Sequence, residues 1–336
     1  MIAEINVYRE TEKALFKPLE SFMTDPMVSE ILINKPKEVY IEKHGEFTRH
    51  NIEAITERKM ASIFRTIAVS NKQEEKQIFY GSMTDQSRIT LIAPPTASHH
   101  SLSIRRKVVK NMTLNNYREN DYYKIVQPAS REDDELSFLD DSEKDLIELY
   151  KQGNWNDFVP QAIKQKKNII IAGGTSSGKT TFLNACLQEI DMNDRIISLE
   201  DTRELDVVQP NYVSLLETKA EGDTPAVPMR DLVKACLRLR PDRIIMGEMR
   251  GAEIMDFVTA CSTGHEGGLS TIHANNPRNA FMRMSGMYKQ NNVVMTDADI
   301  MRELESVVDV IIQIGKTPHG RLAQSIFYKY GHLDLK

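Results

Sequence analysis

Cysteine is scarce and scattered in this chain: Cys186, Cys236 and Cys261 are the only three in 336 residues, and each has apolar neighbours. Their odd number, wide spacing and lack of any C-x-x-C pair exclude a disulfide framework and a cysteine zinc site, so they read as reduced core thiols. Long hydrophobic runs are missing too. The longest, such as 169–172, fall far short of the roughly 20 residues that span a bilayer, and the acidic start carries no signal-peptide pattern. Nor is there a surplus of positive charge. With a formal net charge of -5, a dedicated nucleic-acid surface loses its usual electrostatic support. These absences predict a cytosolic protein, at most peripheral to a membrane.

What is present divides into two parts. The length suggests about two domains. A run from Arg131 to Asp145 holds Glu132, Asp133, Asp134, Glu135, Asp140, Asp141, Glu143 and Asp145 against Arg131 and Lys144 alone. Opened by Pro128, it reads as a solvated linker, 131–145, between residues 1–130 and residues 146–336. In the first part, EVYIEKHGEFTRH alternates around Gly45 as a hairpin does, and ERKMASIFRTIA sets Met60, Ile63, Phe64 and Ile67 on one helical face. SRITLIAPP and HSLSIRRK add two strands. The expectation is a small α+β (PAS-like) domain. In the second part, short apolar strands alternate with helices: 168–172, then RIISL ending at Glu200, RIIMG before Glu248, and LSTIH ending at His273. That pattern predicts an α/β, parallel, doubly wound sheet whose ligands lie beyond the carboxyl ends of its strands.

The polar residues at those ends carry the chemistry. Gly173, Gly174, Thr175, Ser176, Ser177, Gly178, Lys179 and Thr180 fit G-x-x-x-x-G-K-[ST], followed by Thr181, with a strand before and a helix after. In that setting backbone N–H groups and a helix N-terminus converge on one anion, the lysine bridges the outer phosphates, and the Thr180 hydroxyl can bind Mg²⁺. A nucleoside triphosphate, ATP with Mg²⁺, is the expected ligand. Hydrolysis needs a carboxylate to hold the metal or orient water. Glu248 after its buried strand is the first candidate, and Glu200, Asp201 and Glu204 in LEDTREL form a second group. His265 and His273 lack the spacing of a zinc pair. His273 instead suits a sensor of the terminal phosphate, although a histidine there is as readily structural. Arg88, Arg105, Arg240 and Arg250 are the arginines that could neutralise a leaving phosphoryl group.

Taken together, GGTSSGKTT, LEDTREL, RPDRIIMGEMRG and TGHEGGLSTIHANN resemble, in order and spacing, the Walker A, Asp box, Walker B and His box of the secretion ATPase superfamily. SLSIRRK followed by MTLNNY further resembles the N-domain arginine segment of the traffic ATPases of bacterial type IV secretion. The resemblance implies a RecA-like P-loop NTPase domain behind the N-terminal domain, ATP hydrolysis with Mg²⁺, and a homohexameric ring. It also implies docking on inner-membrane secretion channel subunits and transfer of a cargo protein or protein–DNA complex. The four-cysteine metal module usual in type II secretion and pilus assembly motors is missing; pilus retraction motors lack it too and are the alternative within the superfamily. From outside that class, a nucleic-acid translocase on a RecA-like core and a barely hydrolysing regulatory module are the competing readings. Gly174 and Glu266 stand where many relatives have proline, and neither departure removes a phosphate or metal contact.

Overall fold

The computed structural model describes residues 2–74, 76–106, 113–119, 121–126, 139–222 and 225–333. The chain opens with helix α1 (Ile2–Phe16) and short helix α2 (Glu20–Thr24). Strands β1 (Val28–Lys35), β2 (Glu38–Lys43) and β3 (Glu46–Asn51) follow as a meander. His44 and Gly45 turn β2 into β3, both at positive φ, as a two-residue hairpin demands. Helix α3 (Glu57–Ser70) starts where the Thr56 hydroxyl accepts from the Lys59 amide at 3.2 Å, and it buries Met60, Ile63, Phe64 and Ile67 as their spacing predicts. Strands β4 (Ile78–Ser82), β5 (Arg88–Ile92) and β6 (Ser101–Arg105) complete an antiparallel sheet in the order β3-β2-β1-β6-β5-β4. Its core unites Phe16, Ile31, Ile33, Ile41, Phe64 and Leu102. A short helix, α4 (Leu114–Glu119), comes next.

The acidic run turns out to be partly structured. Residues 131–138 lie outside the described residues, but from Asp140 onward the charges begin helix α5 (Asp141–Lys151), a correction to the solvated linker expected over 131–145. Asp140 caps it by accepting from the Glu143 amide at 2.8 Å, and acids in a first turn also complement the helix dipole. Glu143 is half-buried and engages Lys167 and the Tyr328 hydroxyl. Acidity here is a helix start.

Helix α6 (Trp155–Lys164) leads into the second sheet through β7 (Ile169–Gly173), helix α7 (Lys179–Leu187), β8 (Ile196–Glu200) and β9 (Tyr212–Leu216). Helix α8 (Met229–Cys236), β10 (Arg243–Met246), helix α9 (Glu253–Ser262) and β11 (Leu269–Ile272) continue it. Helices α10 (Pro277–Tyr288) and α11 (Asp297–Val307) then precede β12 (Val310–Thr317) and β13 (Gly320–Tyr328). The order is β13-β12-β7-β11-β10-β8-β9. Every pairing in this sheet is parallel except β12 with β13, whose connection is too short for anything but an antiparallel hairpin. Both faces are covered, which is why the strands read as unbroken apolar runs. Ile169 and Ile171 face α6 and α7, while Ile170 and Ala172 face the layer of α8 to α11.

All three cysteines are buried and free, and burial pushes the Cys186 thiol up to about 12 and the other two higher still. The expectation of inert core thiols is met. Among the described residues no helix is long and apolar enough to cross a membrane.

The two sheets share a packed boundary. Ile92 and Ala97 join the core of the second sheet, and the Leu216 amide donates to the Thr96 carbonyl at 2.7 Å. Arg195, fully buried, donates to Asn34 at 2.8 Å, to Asn211 and to the Leu239 carbonyl at 2.8 Å. Asn34 lies on β1, so this cation ties the antiparallel sheet to the parallel one.

Candidate active site

Everything needed to grip a phosphate sits beyond the carboxyl end of β7. Gly173 ends that strand with so little room that an added Cβ would collide with the Ser177 hydroxyl and lie 2.7 Å from the Ile314 carbonyl. Gly178 has φ +97°, a backbone only glycine adopts cheaply, and it delivers the chain to the start of α7. The amides of the turn and the free N–H groups of the first helical turn therefore face a common point. Lys179 is buried, and its ammonium donates to the Gly174 carbonyl at 3.3 Å. Burial lowers its pKa, offset by the charge of Glu248.

Across the cradle, Lys179, Thr180, Glu200, Asp201, Glu204, Glu248 and Arg250 line one narrow cavity of about 90 Å³. Glu248 accepts from Arg250 through Oε2 at 2.9 and 2.7 Å, and the His273 Nε2 lies 2.8 Å from its Oε1. Burial is the largest effect on His273 and holds its pKa below the ordinary value. A neutral ring is therefore favoured. Its Nε2 is close to Glu248 without meeting hydrogen-bond geometry, and its Nδ1 lone pair faces the Lys179 ammonium at 3.5 Å. His273 thus lies between Lys179 and the strand-end carboxylate of Glu248.

The carboxylates divide into two jobs. Glu200 is almost fully buried, and its Oε1 accepts from the Glu204 and Leu205 amides at 2.7 and 2.8 Å, so its charge holds the loop after β8. It lines the cavity with that oxygen already engaged by the loop. Glu204 is exposed in the same cavity, and Asp201 pairs with Arg250. The donor set suits Mg²⁺: the Thr180 hydroxyl with Glu248 and Glu204 gives hard oxygens, and this ion usually takes one or two carboxylates and shares the rest of its sphere with phosphate and water. Among the described residues no three histidine, cysteine or acidic side chains form a dedicated metal cage.

The arginines sort differently from the sequence expectation. Arg88 and Arg105 stand directly opposite each other on β5 and β6, and Glu30 on β1 is opposite Arg105, its carboxylate 3.5 Å away. Both line a cavity of about 1100 Å³ together with Lys166, Arg240, Gly264 and His265. Residues 166, 240 and 264 precede β7, β10 and β11, so that cavity opens at the amino ends of the parallel strands. It shares no lining residue with the Lys179 cavity. Arg88 and Arg105 are therefore not brought to this chain's own cradle. Arg240 is committed to Glu42 on β2 at 2.7 Å and to Asp242, and it lies over the Phe47 ring. It is a tie between the sheets, and Arg250 is the arginine at the site. His265 sits with the first group, where burial lowers its pKa.

Two contributors went unread in the sequence. The Thr271 hydroxyl donates to the Gly247 carbonyl at 2.8 Å and fixes the bend before Glu248. The hairpin of β12 and β13 flanks the turn, with the Arg321 side chain 3.3 Å from where a Cβ on Gly178 would be.

A strand–turn–helix phosphate cradle, a carboxylate at the end of a neighbouring strand and a doubly wound RecA-like sheet define an ATPase of the P-loop class. Residues 140–319 match the family model described as Type II/IV secretion system protein. The chain is 30% identical over 326 residues to the type IV secretion system protein VirB11 of Brucella suis, covering 93% of this chain and 88% of that one. It is 31% identical over 306 residues to the type IV secretion system protein PtlH of Bordetella pertussis, covering 88% of each. The crystal structure of the Brucella suis VirB11 ATPase in complex with sulphate superposes with a TM-score of 0.87 at 27% identity, covering 98% of both chains. This chain belongs to the type II/IV secretion system protein family, on its type IV secretion ATPase branch.

Proposed function

We propose that six copies of this chain form a ring at the cytoplasmic face of the inner membrane. There they hydrolyse Mg–ATP and drive a cargo protein or protein–DNA complex through a type IV secretion channel. The observation that carries the reading is the Lys179–His273–Glu248 chain of contacts: it links the phosphate-binding cation to the strand-end carboxylate, so hydrolysis and its sensing occupy one site. Residues 1–130 and 146–336 are the two parts that move against each other, and the relatives named type IV secretion proteins supply the context. A heterologous interface that closes by rotation gives such a ring. Light scattering of the 38.4 kDa chain with Mg–ATP at micromolar concentration is expected to give the mass of six copies; monomer alone under those conditions refutes the ring.

Ring assembly also gives the displaced arginines a task. Arg88 and Arg105 face away from their own cradle, so the nucleotide they serve belongs to a neighbouring copy. Each charge-assisted contact to a terminal phosphate is worth about 1.5 to 3 kcal/mol. Arg105→Ala is then expected to lower ATP turnover of the assembled protein about tenfold or more while leaving ADP affinity within about twofold. Equal losses for ATP and ADP, or none for either, would make these arginines ordinary partners of Glu30.

A further inference from the structure

The segment that follows β8 has no strand of its own, yet it is fastened along helix α7 at several points. Its side chains alternate: Glu204, Asp206 and Val208 are exposed, Leu205 and Val207 pack against the core that contains Leu183 and Leu187, and Gln209 is buried. Gln209 donates to the Leu187 and Ile190 carbonyls, at and just beyond the end of α7, at 2.9 and 3.0 Å. Near its start, the Glu200 carboxylate accepts from the Glu204 and Leu205 amides. Between these anchors lies Asn184 of α7. Its Nδ2 donates to the Glu204 carbonyl at 3.0 Å, and its Oδ1 accepts from the Asp206 amide at 3.0 Å.

That pair of bonds is the pattern one residue of a parallel strand makes with the two residues flanking its neighbour, so the Asn184 side chain substitutes for a strand. Glu204 is thereby held on both of its own backbone polar groups. Its N–H is fixed by Glu200 at the end of β8, and its C=O is fixed by α7. Its carboxylate has no hydrogen-bond or ion-pair partner among the described residues, and it lines the same cavity as Thr180. Thr180 and Asn184 are one turn apart on α7 and share a face. One helix face therefore offers both the hydroxyl suited to Mg²⁺ and the clamp on a free carboxylate. Fastening the loop does not require Asn184, because Leu205, Val207 and Gln209 already do so. Its bonds fall on the residue whose side chain enters the cavity.

We propose that Asn184 is a positioning residue for the metal: by tying the backbone of Glu204 to the helix that begins at the phosphate turn, it aims the Glu204 carboxylate at Mg²⁺ beside Thr180. The proposal rests on the P-loop reading of residues 173–181. Partners that orient a metal-holding group typically change metal affinity by about 10- to 100-fold when removed.

The test uses the full chain and two measurements. One is the Mg²⁺ concentration for half-maximal ATP turnover; the other, by calorimetric titration, is the gain in affinity for a non-hydrolysable ATP analogue when Mg²⁺ replaces EDTA. Asn184→Ala is expected to raise the first about tenfold and cut the second about tenfold, with affinity in EDTA within about twofold of the parent. Alanine suits a helix interior, so thermal unfolding should stay close to the parent. Glu204→Gln is expected to give the same two changes, and adding Asn184→Ala to it is expected to give no more, because the asparagine acts through that carboxylate. An unchanged Mg²⁺ dependence in either single variant overturns the proposal, and so do effects that multiply in the double variant. Lys179→Ala provides the separate check: it is expected to lose the analogue in EDTA as well as in Mg²⁺. Normal binding in EDTA by that variant would refute the P-loop reading itself, whatever Asn184 does.

Discussion

Lys179→Ala is expected to abolish nucleotide binding and hydrolysis in a protein that stays folded. The ammonium is buried against the Gly174 carbonyl and His273, and burial lowers its pKa with only part of that cost offset by Glu248, so a bound anion stabilises the charge further. Two contacts to phosphate oxygens at about 1.5 to 3 kcal/mol each amount to a loss of about two to four orders of magnitude in affinity. Nothing else in the cavity can substitute. Arg250 is the other cation lining it, and its guanidinium is divided between Glu248 and Asp201. Removing a buried cation whose contacts are long, 3.3 Å to a carbonyl and 3.5 Å to a ring nitrogen, costs the fold little, so circular dichroism and thermal unfolding of the variant should match the parent. Near-normal ATP turnover by that folded variant would remove the assignment of residues 173–181 as the phosphate site.

The parts of this site that are contiguous in sequence were legible there, and the parts that depend on which end of a strand faces the ligand were not. The turn from Gly173 to Thr181 is read directly, because strand, glycines, lysine and helix follow one another without a break. Glu248 is legible by the same logic, since it follows β10. Arg240 fails that test on inspection: it precedes Arg243, the first residue of β10, and four strand residues at about 3.3 Å each put it at the opposite end of the sheet from Glu248. Arg88 and Arg105 pair as neighbouring strands should, yet which end of the second sheet they face is set by long-range contacts such as Asn34 with Asn211 and Arg195. No local pattern encodes those. The hairpin β12–β13 was missed for a different reason. Strand β13 is exposed along most of its length, so it lacks the apolar alternation by which strands are recognised. The acidic run misled because composition is the same for a solvated linker and for the first turn of a capped helix; only the Asp140 cap and the burial of Glu143 separate them.

Glu248→Gln is expected to keep ATP binding within about threefold of the parent and to slow turnover by about two to three orders of magnitude, read by nucleotide titration and by single-turnover hydrolysis. The amide preserves the shape of the side chain but removes the charge that accepts from Arg250 at 2.7 Å, lies 2.8 Å from the His273 ring nitrogen and would hold Mg²⁺ beside the Thr180 hydroxyl. Binding is spared because Lys179 and the amides of the turn grip the phosphates without Glu248. Turnover is not spared, because a neutral group neither holds the metal nor polarises the attacking water. The other carboxylates lining the cavity show what a smaller effect would mean. Glu200 is committed to the amides of Glu204 and Leu205, and Asp201 is committed to Arg250. Glu204 is the acid left exposed there. A loss of less than about tenfold in Glu248→Gln would therefore move the metal- and water-holding role to Glu204, and Glu204→Gln would then show the larger defect.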